Sequence, residues 1–488
     1  MTSLFSSSNQ TDSSQLFGRP SLPFSVGILH FVGIGGIGMS GIAEAFHLLG
    51  YQVQGSDQKE NANTQRLQKL GISVFIGHKE EHVENADVIV VSTAIPLDNP
   101  EIKKARTRLL PIVRRAEMLA ELMRLRWSIA VGGTHGKTTT TSLIASVLEE
   151  GNLDPTVING GIIEAYGTNT RMGKGNWMVA EADESDGSFL RLPAVVAVVT
   201  NMDPEHLDHW GSAEAMEAGY DQFVSNLPFY GFAVLCIDHP NVQKMIPRLS
   251  DRRIITYGFS PNADIQGQNI KADTYGCTFD VIVKPRDGSS PRNIGPLHLN
   301  MLGKHNVLNA LAAVTVAMEM DIDPTVLQKS FEKFKGVQRR FTRIGNWNGA
   351  EIIDDYAHHP IEIQAVLEAA EQAGAKRIIT VIQPHRYSRL KELFNDFCAC
   401  LMKSDIVMIS DVYAAGETPI KGAGRDELAE ALKTQGHRHV ITFSSQEELP
   451  ALIAKEAQEG DYIMCLGAGT ITKWAHDLPN QLKHLASK

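Results

Sequence analysis

The sequence predicts an α/β protein built from three units in series, each a largely parallel sheet covered by helices. Three observations point there. From Gly27 to the C-terminus, short apolar runs alternate with helix-length amphipathic segments, the pattern of parallel strands joined by crossover helices. That alternation starts afresh at Trp127 and again after Gln338-Arg339-Arg340. The chain has 488 residues, more than the roughly 250 to 300 that one hydrophobic core accommodates. The divisions expected are a flexible tail at 1–24 and units at 25–124, 125–337 and 338–488.

In the first unit a strand at Ile28–Val32 enters a glycine turn, and the helix that follows places Ile42, Phe46 and Leu49 on one face before Gly50 ends it. A second strand, Val53–Gly55, delivers Asp57 at its end. The turn Gly33-Ile34-Gly35-Gly36-Ile37-Gly38 fits the G-x-G-x-x-G fingerprint of a Rossmann-like domain. Backbone amides at such a helix start point at a pyrophosphate, whose charge the helix dipole favours. Two ligands meet that description, a nicotinamide dinucleotide and a UDP-sugar, so a dehydrogenase stands as one reading. A glycine turn that serves structure alone is a third.

The second unit opens with a strand at Trp127–Val131 running into Gly133-Thr134-His135-Gly136-Lys137-Thr138-Thr139, and a helix with Leu143, Ile144, Val147 and Leu148 on one face follows. Strand, glycine loop and helix together read as a phosphate-binding loop, with a plain glycine-rich turn as the alternative. Its glycines let the backbone wrap phosphates, Lys137 supplies a point charge, and the Thr138 hydroxyl can reach Mg²⁺. The loop is shorter than the usual G-x-x-x-x-G-K-T, because Val131 occupies the position of the first glycine. A dehydrogenase has no need of this second phosphate site.

Further strands are expected at Met178–Ala182, Ala194–Val199 and Phe232–Ile237. The stretch Ile254–Val283 has a weaker helical signal and is expected to add antiparallel strands, making this sheet mixed. The first of these strands ends at Glu181-Ala182-Asp183-Glu184-Ser185-Asp186, and the second at Thr200-Asn201-Met202-Asp203-Pro204-Glu205-His206. Strand ends are where such sheets place ligand contacts, so carboxylates and imidazoles converge beside the loop. Glu181 and His206 are candidate Mg²⁺ ligands, although Asp183 to Asp186 reads equally as a solvated acidic loop and His209 as a surface histidine. Zinc is disfavoured, since no cysteine lies near. Gly303-Lys304-His305-Asn306-Val307-Leu308-Asn309 opens a long apolar helix, where His305, Asn306 and Asn309 are placed either to touch a nucleoside or to cap the helix.

The third unit is expected to hold strands at Ile352–Asp354, Ile378–Ile382, Ile406–Ser410, Val440–Phe443 and Tyr462–Leu466. Two of them lead into Asp354-Asp355-Tyr356-Ala357-His358-His359-Pro360 and Gln383-Pro384-His385-Arg386-Tyr387-Ser388-Arg389. Arg386 and Arg389 beside His385 would gather an anion such as a carboxylate or a transferred phosphate.

Composition narrows the function. Hydrophobic residues make up 43% and charged residues 21% of the chain, an ordinary globular balance. With 46 Lys+Arg against 56 Asp+Glu the net charge is -10, which disfavours non-specific nucleic-acid binding. The five cysteines form no C-x-x-C pair and suit a reducing compartment. No run approaches the roughly 20 apolar residues of a membrane helix, so a cytoplasmic protein is expected.

Taken together, the segments His30–Ser40, Gly133–Thr139, Glu181–Asp186, Asn201–His206, Gly303–Asn309, Asp354–Pro360 and Gln383–Arg389 resemble the Mur ligases, in order and across all three units. The resemblance implies a Rossmann-like N-terminal domain for the UDP part of a sugar nucleotide, a central P-loop ATPase domain, and a Rossmann-like C-terminal domain that closes over the site. It implies ATP-dependent joining of an amino acid, with L-alanine expected, to the lactyl carboxylate of UDP-N-acetylmuramic acid, an early cytoplasmic step of peptidoglycan synthesis. By that similarity Gly35, Gly36, Ile37, Gly38 and Asp57 face the UDP. Gly133 to Thr139 with His305, Asn306 and Asn309 hold ATP, and Thr138, Glu181 and His206 hold Mg²⁺. Tyr356, His358, His385, Arg386 and Arg389 complete the muramyl and phosphate site, and Lys137, His206 and Arg386 carry the catalysis. Several relatives have a carbamylated lysine shortly after the position of His206, but Ser212 to Asn226 contains none. The alternatives are a sister ligase that adds a preformed peptide and a non-catalytic UDP-sugar-binding regulator. A monomer or weak homodimer is expected, with small-molecule substrates and neither nucleic-acid nor membrane partners.

Overall fold

The computed structural model describes residue 22 and residues 26–486 apart from 93 and 287, so the expected tail at 1–24 lies outside the described residues except for Leu22. Three sheets follow one another along the chain. The first holds β1 (Ile28–Val32), β2 (Gln52–Asp57), β3 (Ser73–Ile76), β4 (Val88–Val91) and β5 (Ile112–Arg114) in the order β3-β2-β1-β4-β5. All its pairings are parallel. The order reverses between β1 and β4, and the crevice beyond their C-terminal ends is the usual ligand position in such sheets.

The central sheet contains β6 (Trp127–Gly132), β7 (Thr156–Ile163), β8 (Thr168–Arg171), β9 (Trp177–Glu181), β10 (Val196–Val199), β11 (Phe232–Cys236), β12 (Ile254–Gly258), β13 (Ile265–Ala272), β14 (Cys277–Val283), β15 (Arg292–Asn293) and β16 (Leu297–Leu299). Its middle strands are parallel and buried on both faces, which is why β10 and β11 read as unbroken apolar runs. The sheet is mixed at both edges: β8 runs antiparallel to β7, and beyond β11 the reversal comes later than expected. β12 runs parallel to β11 and β13 parallel to β12, and only β14 turns back. The reason lies in the connecting loops. Asp238 accepts the N–H groups of Phe259 and Ser260, while Asp264 accepts from Thr256, so the chain swings around and re-enters in the same direction. The tight turn sits between β13 and β14, where Asp273 accepts the N–H groups of Tyr275 and Gly276.

The third sheet comprises β17 (Thr342–Trp347), β18 (Ala350–Asp355), β19 (Arg377–Ile382), β20 (Ile406–Ile409), β21 (Val440–Thr442) and β22 (Asp461–Leu466), ordered β17-β18-β22-β19-β20-β21. Only the edge strand β17 is antiparallel. The protein is therefore α/β with three domains, Rossmann-like at each end and a mixed-sheet P-loop unit between them. A single apolar cluster spans the first two, with Phe31 and Phe46 at one end and Phe189, Tyr220 and Phe223 at the other. No helix among the described residues is long and apolar enough to cross a membrane.

Candidate active site

The first glycine turn is shaped by β2. The Ser56 carbonyl accepts the N–H groups of Gly33 and Ile34, and the Asp57 carboxylate accepts that of Gly35 at 2.8 Å. A Cβ on Gly35 would stand 2.5 Å from the Asn61 amide, so this glycine allows the turn to press against the start of the helix Ala62–Lys69. Gly36, Ile37, Gly38 and Asp57 border a chamber of about 590 Å³, together with His78 and Arg115. Gly35 does not border it, and one oxygen of Asp57 is committed to the turn.

The phosphate loop is clamped by the segment after β10. Asn201 accepts the His135 N–H at 2.7 Å and donates to the His135 carbonyl at 2.9 Å, and Thr200 donates to that carbonyl at 2.7 Å. Gly133 and Gly136 have φ of +128° and +82°, and a Cβ would lie 2.0 Å from Thr200 Oγ1 or 2.5 Å from Asn309 Oδ1. Lys137 Nζ donates to the carbonyls of Gly133 (2.6 Å) and Thr134 (3.0 Å) and to Glu184 Oε1 (2.9 Å). Burial presses the ammonium toward neutrality, but Glu184, Glu181 and Asp183 outweigh it and hold Lys137 above its ordinary value. Burial pushes Glu184 up to about 7 against the pull of Lys137.

The other strand ends converge as the sequence suggested. Glu181, at the end of β9, accepts the Gly160 N–H at 2.9 Å, and Asp183 meets Arg115 of the first domain at 3.1 Å. His206 adopts a left-handed φ of +56°, and burial holds its imidazole below the usual value. Lys137, Thr138, Glu181 and His206 all border a second chamber of about 600 Å³.

The C-terminal domain forms the far wall of that chamber. Tyr356, His358 and Arg389 border it, and Arg389 reaches Glu205 of the central domain at 3.2 Å. His385 stacks on Tyr413 at 5.4 Å and packs edge-on against His358 at 5.8 Å; burial pushes both histidines down to about 4. Arg386 does not border this chamber but an adjoining cavity of about 250 Å³, which shares Glu205, His206 and Arg389 with it. The structure brings Lys137 and Arg389 to one chamber and leaves Arg386 behind its wall.

A third chamber of about 240 Å³, mostly apolar, adjoins the loop and is bordered by Thr139, His305, Asn306 and Asn309. Burial pushes His305 down to about 4. Much of the hydrogen-bonding capacity of the two asparagines is spent inside the protein. Asn306 donates to the Leu302 carbonyl at 2.8 Å, and Asn309 donates to Asn306 and accepts from Thr140, each at 3.1 Å. The Thr140–Asn309 bond ties the helix Lys304–Glu319 to the helix Lys137–Glu150.

Three participants were not singled out from the sequence. Glu362, in the helix Pro360–Gln372, meets His135 Nδ1 at 3.0 Å and ties the C-terminal domain to the phosphate loop. Its partners His358 and His135 overcome burial and hold it well below the usual carboxylate range. Arg339 and Arg340 lie over the Tyr356 ring, 4.5 and 5.4 Å from its centroid, and border the second chamber. The signal for the arginines was adjacent cations at a domain boundary in an acidic chain. For Glu362 there was only its place three residues after His359, as a capping box.

The expected Mg²⁺ donors are one hydroxyl, one carboxylate and one imidazole. Among the described residues no group of three or more His, Cys, Asp or Glu is arranged to hold a metal. Thr138, Glu181 and His206 nevertheless border one chamber, and so sparse a set suits Mg²⁺, which keeps several waters and binds substrate phosphates. The helix Ala213–Ser225 supplies no lysine.

The chain matches three consecutive family descriptions: the Mur ligase family catalytic domain over residues 28–127, the Mur ligase middle domain over 131–317, and the Mur ligase glutamate ligase domain over 339–469. It is 66% identical over 464 residues to a UDP-N-acetylmuramate–L-alanine ligase of Gluconobacter oxydans, covering 95% of this chain and 97% of that one. A protein of the same name from Rhodospirillum rubrum is 57% identical, with 95% and 96% covered. Among solved structures, the UDP-N-acetylmuramate–alanine ligase of Thermotoga maritima superposes with a TM-score of 0.79 at 28% identity, covering 95% of this chain and 100% of that one. A murein peptide ligase of Psychrobacter arcticus shares the fold at a TM-score of 0.68 and 22% identity, with 93% and 98% covered. With all three domains matched in order, this chain belongs to the Mur ligase family.

Proposed function

We propose that this chain joins L-alanine to the lactyl carboxylate of UDP-N-acetylmuramic acid at the expense of ATP, through an acyl phosphate, in peptidoglycan synthesis. The observation that carries the reading is that the three chambers share walls. The first and second have Ile37, Gly160, Glu181 and Asp183 in common, and the second and third have His135, Gly136, Arg340 and Glu362 in common. A sugar nucleotide in the first and ATP in the third would therefore meet in the second.

In this reading the apolar third chamber takes the adenosine, and the loop amides and Lys137 take the phosphates. The muramyl carboxylate enters the second chamber past Gly160 and Ile37 and attacks the γ-phosphorus, releasing ADP and leaving an acyl phosphate. Lys137 offsets charge that grows on the transferred group. The amine of alanine then attacks the acyl carbon and phosphate departs, with Arg389, Arg339 and Arg340 as the cations available to the anions. Thr138, Glu181 and His206 would hold Mg²⁺, which supplies charge neutralisation between two anionic substrates. Because all three chambers are built from one chain, the reading asks for no second copy. Its location would be the cytoplasm, which suits ATP-dependent chemistry and five free, buried cysteines.

The test is ADP release with UDP-N-acetylmuramic acid and a panel of acceptors. L-alanine should support turnover with Mg²⁺, and chelation should abolish it. Preference for a tripeptide over alanine would move the protein to the peptide-adding branch. ATP consumption with neither would end the ligase reading.

A further inference from the structure

Beside the first chamber lies a polar cluster that the reaction does not use. Glu101 is fully buried at the start of the helix Pro100–Thr107, where Asn99 accepts its N–H at 2.9 Å. Around its carboxylate stand Ser56 Oγ at 2.6 Å, His82 Nδ1 at 2.8 Å, His78 Nδ1 at 3.2 Å and His30 Nε2 at 3.6 Å. These groups come from the middle of β1, the end of β2 and the segment after β3. Burial works to raise the Glu101 carboxyl, but the hydrogen bonds and the His30 charge outweigh it and hold it down to about 2.

The hydrogen-bond arithmetic fixes the tautomer of His78. The carboxylate carries no proton, so the Ser56 hydroxyl donates to it. That hydroxyl cannot also donate to His78 Nδ1, which lies 3.0 Å from it. The hydrogen must therefore sit on Nδ1, shared between Ser56 Oγ and Glu101. His78 borders the first chamber, and with Nδ1 turned inward, Nε2 is the ring nitrogen left to it, carrying the lone pair when the ring is neutral.

We propose that Glu101 is a positioning residue for nucleotide binding, fixing His78 so that Nε2 accepts a hydrogen bond from a neutral N–H or O–H of the nucleotide, the uracil imide or a ribose hydroxyl. This rests on the reading that the first chamber takes the UDP part of the substrate. A role in stability alone would ask for the buried network but not for a fixed ring bordering the chamber. Glu101→Gln keeps the volume and loses the charge, placing an amide N–H₂ among groups that all donate.

The experiment is calorimetric titration of the full-length protein with UDP, and separately with a non-hydrolysable ATP analogue. Glu101→Gln and His78→Ala should each weaken UDP about tenfold, the double variant should be no weaker than His78→Ala, and affinity for the ATP analogue should stay within twofold. UDP affinity unchanged in Glu101→Gln, or losses that multiply in the double variant, overturns the positioning role while leaving the sugar-nucleotide site standing. A parent protein that binds no UDP overturns both. Nitrogen-15 spectra of the unaltered protein, with the His78 signal identified by its loss in His78→Ala, give a second check independent of variant folding. A protonated Nδ1 is expected, and a protonated Nε2 overturns the proposal.

Discussion

Replacing Lys137 with alanine separates a catalytic effect from an electrostatic one. For catalysis, losing a preorganised charge at the transferred phosphoryl group should cost about 3 kcal/mol or more, a fall of roughly 10² to 10³ in kcat. For stability, the variant leaves Glu184, only 3% exposed, without its cation. Burial already holds that carboxyl at about 7 in the parent, so below pH 7 it binds a proton in both proteins and the gap between them does not vary with pH through this group. Above pH 7 the parent ionises Glu184 against Lys137. The variant cannot, and its carboxyl, raised further, keeps a proton that the unfolded chain gives up near 4.5. A folded state that binds more protons than the unfolded one loses stability as pH rises, by about 1.4 kcal/mol per unit. The variant should therefore fall behind the parent by about 2 kcal/mol between pH 7 and 8.5. Urea unfolding at pH 6, 7 and 8.5 measures this, and adding Glu184→Gln should flatten the difference. A gap that does not change with pH, or near-normal ADP release by Lys137→Ala, would refute the reasoning.

Other outcomes follow from single contacts. Glu362→Gln removes the charged bond from the C-terminal domain to His135, worth about 2 kcal/mol, and should raise KM for ATP at least tenfold in initial-rate assays while KM for the sugar nucleotide changes little. Gly136→Ala meets both a φ of +82° and the Asn309 amide at 2.5 Å, so calorimetry should show binding of an ATP analogue lost and UDP binding kept. Glu101 is held down to about 2 from 4.5, so its ionised form adds about 3 kcal/mol of stability above pH 4.5. That contribution fades as pH falls toward 2, and the urea-measured gap between parent and Glu101→Gln should narrow over the same acid range.

How much of this was legible depended on whether a feature is local. Strands buried on both faces, such as β10, β11, β19 and β22, stand out as apolar runs, and the two glycine loops announce themselves by spacing. β7 was not anticipated because Asn159, Gly160 and Gly161 interrupt it, yet those residues let the strand border the chambers shared by two substrates. The edge strand β17, half exposed along its length, offered no apolar signal either. Candidate site residues that belong to the loop itself, Lys137 and Thr138, stand out by its spacing. Those defined by contact between domains do not. The pairs Arg389–Glu205 and His135–Glu362 join positions 184 and 227 residues apart, and no pattern in one sequence links them. The same limit explains why the sequence reading placed Arg386, and not Arg389, among the catalytic residues. They are three residues apart at the start of one short helix, and only Arg389 is turned into the chamber with Lys137.

The central claim, that the ATP phosphates and the muramyl carboxylate meet in the second chamber, is tested most directly by isotope transfer. UDP-N-acetylmuramic acid labelled with oxygen-18 in its carboxylate should, with ATP, Mg²⁺ and L-alanine, yield phosphate carrying one labelled oxygen per labelled carboxylate consumed. Phosphate released with no label from the sugar would show that the carboxylate never attacks phosphorus, and would contradict the account.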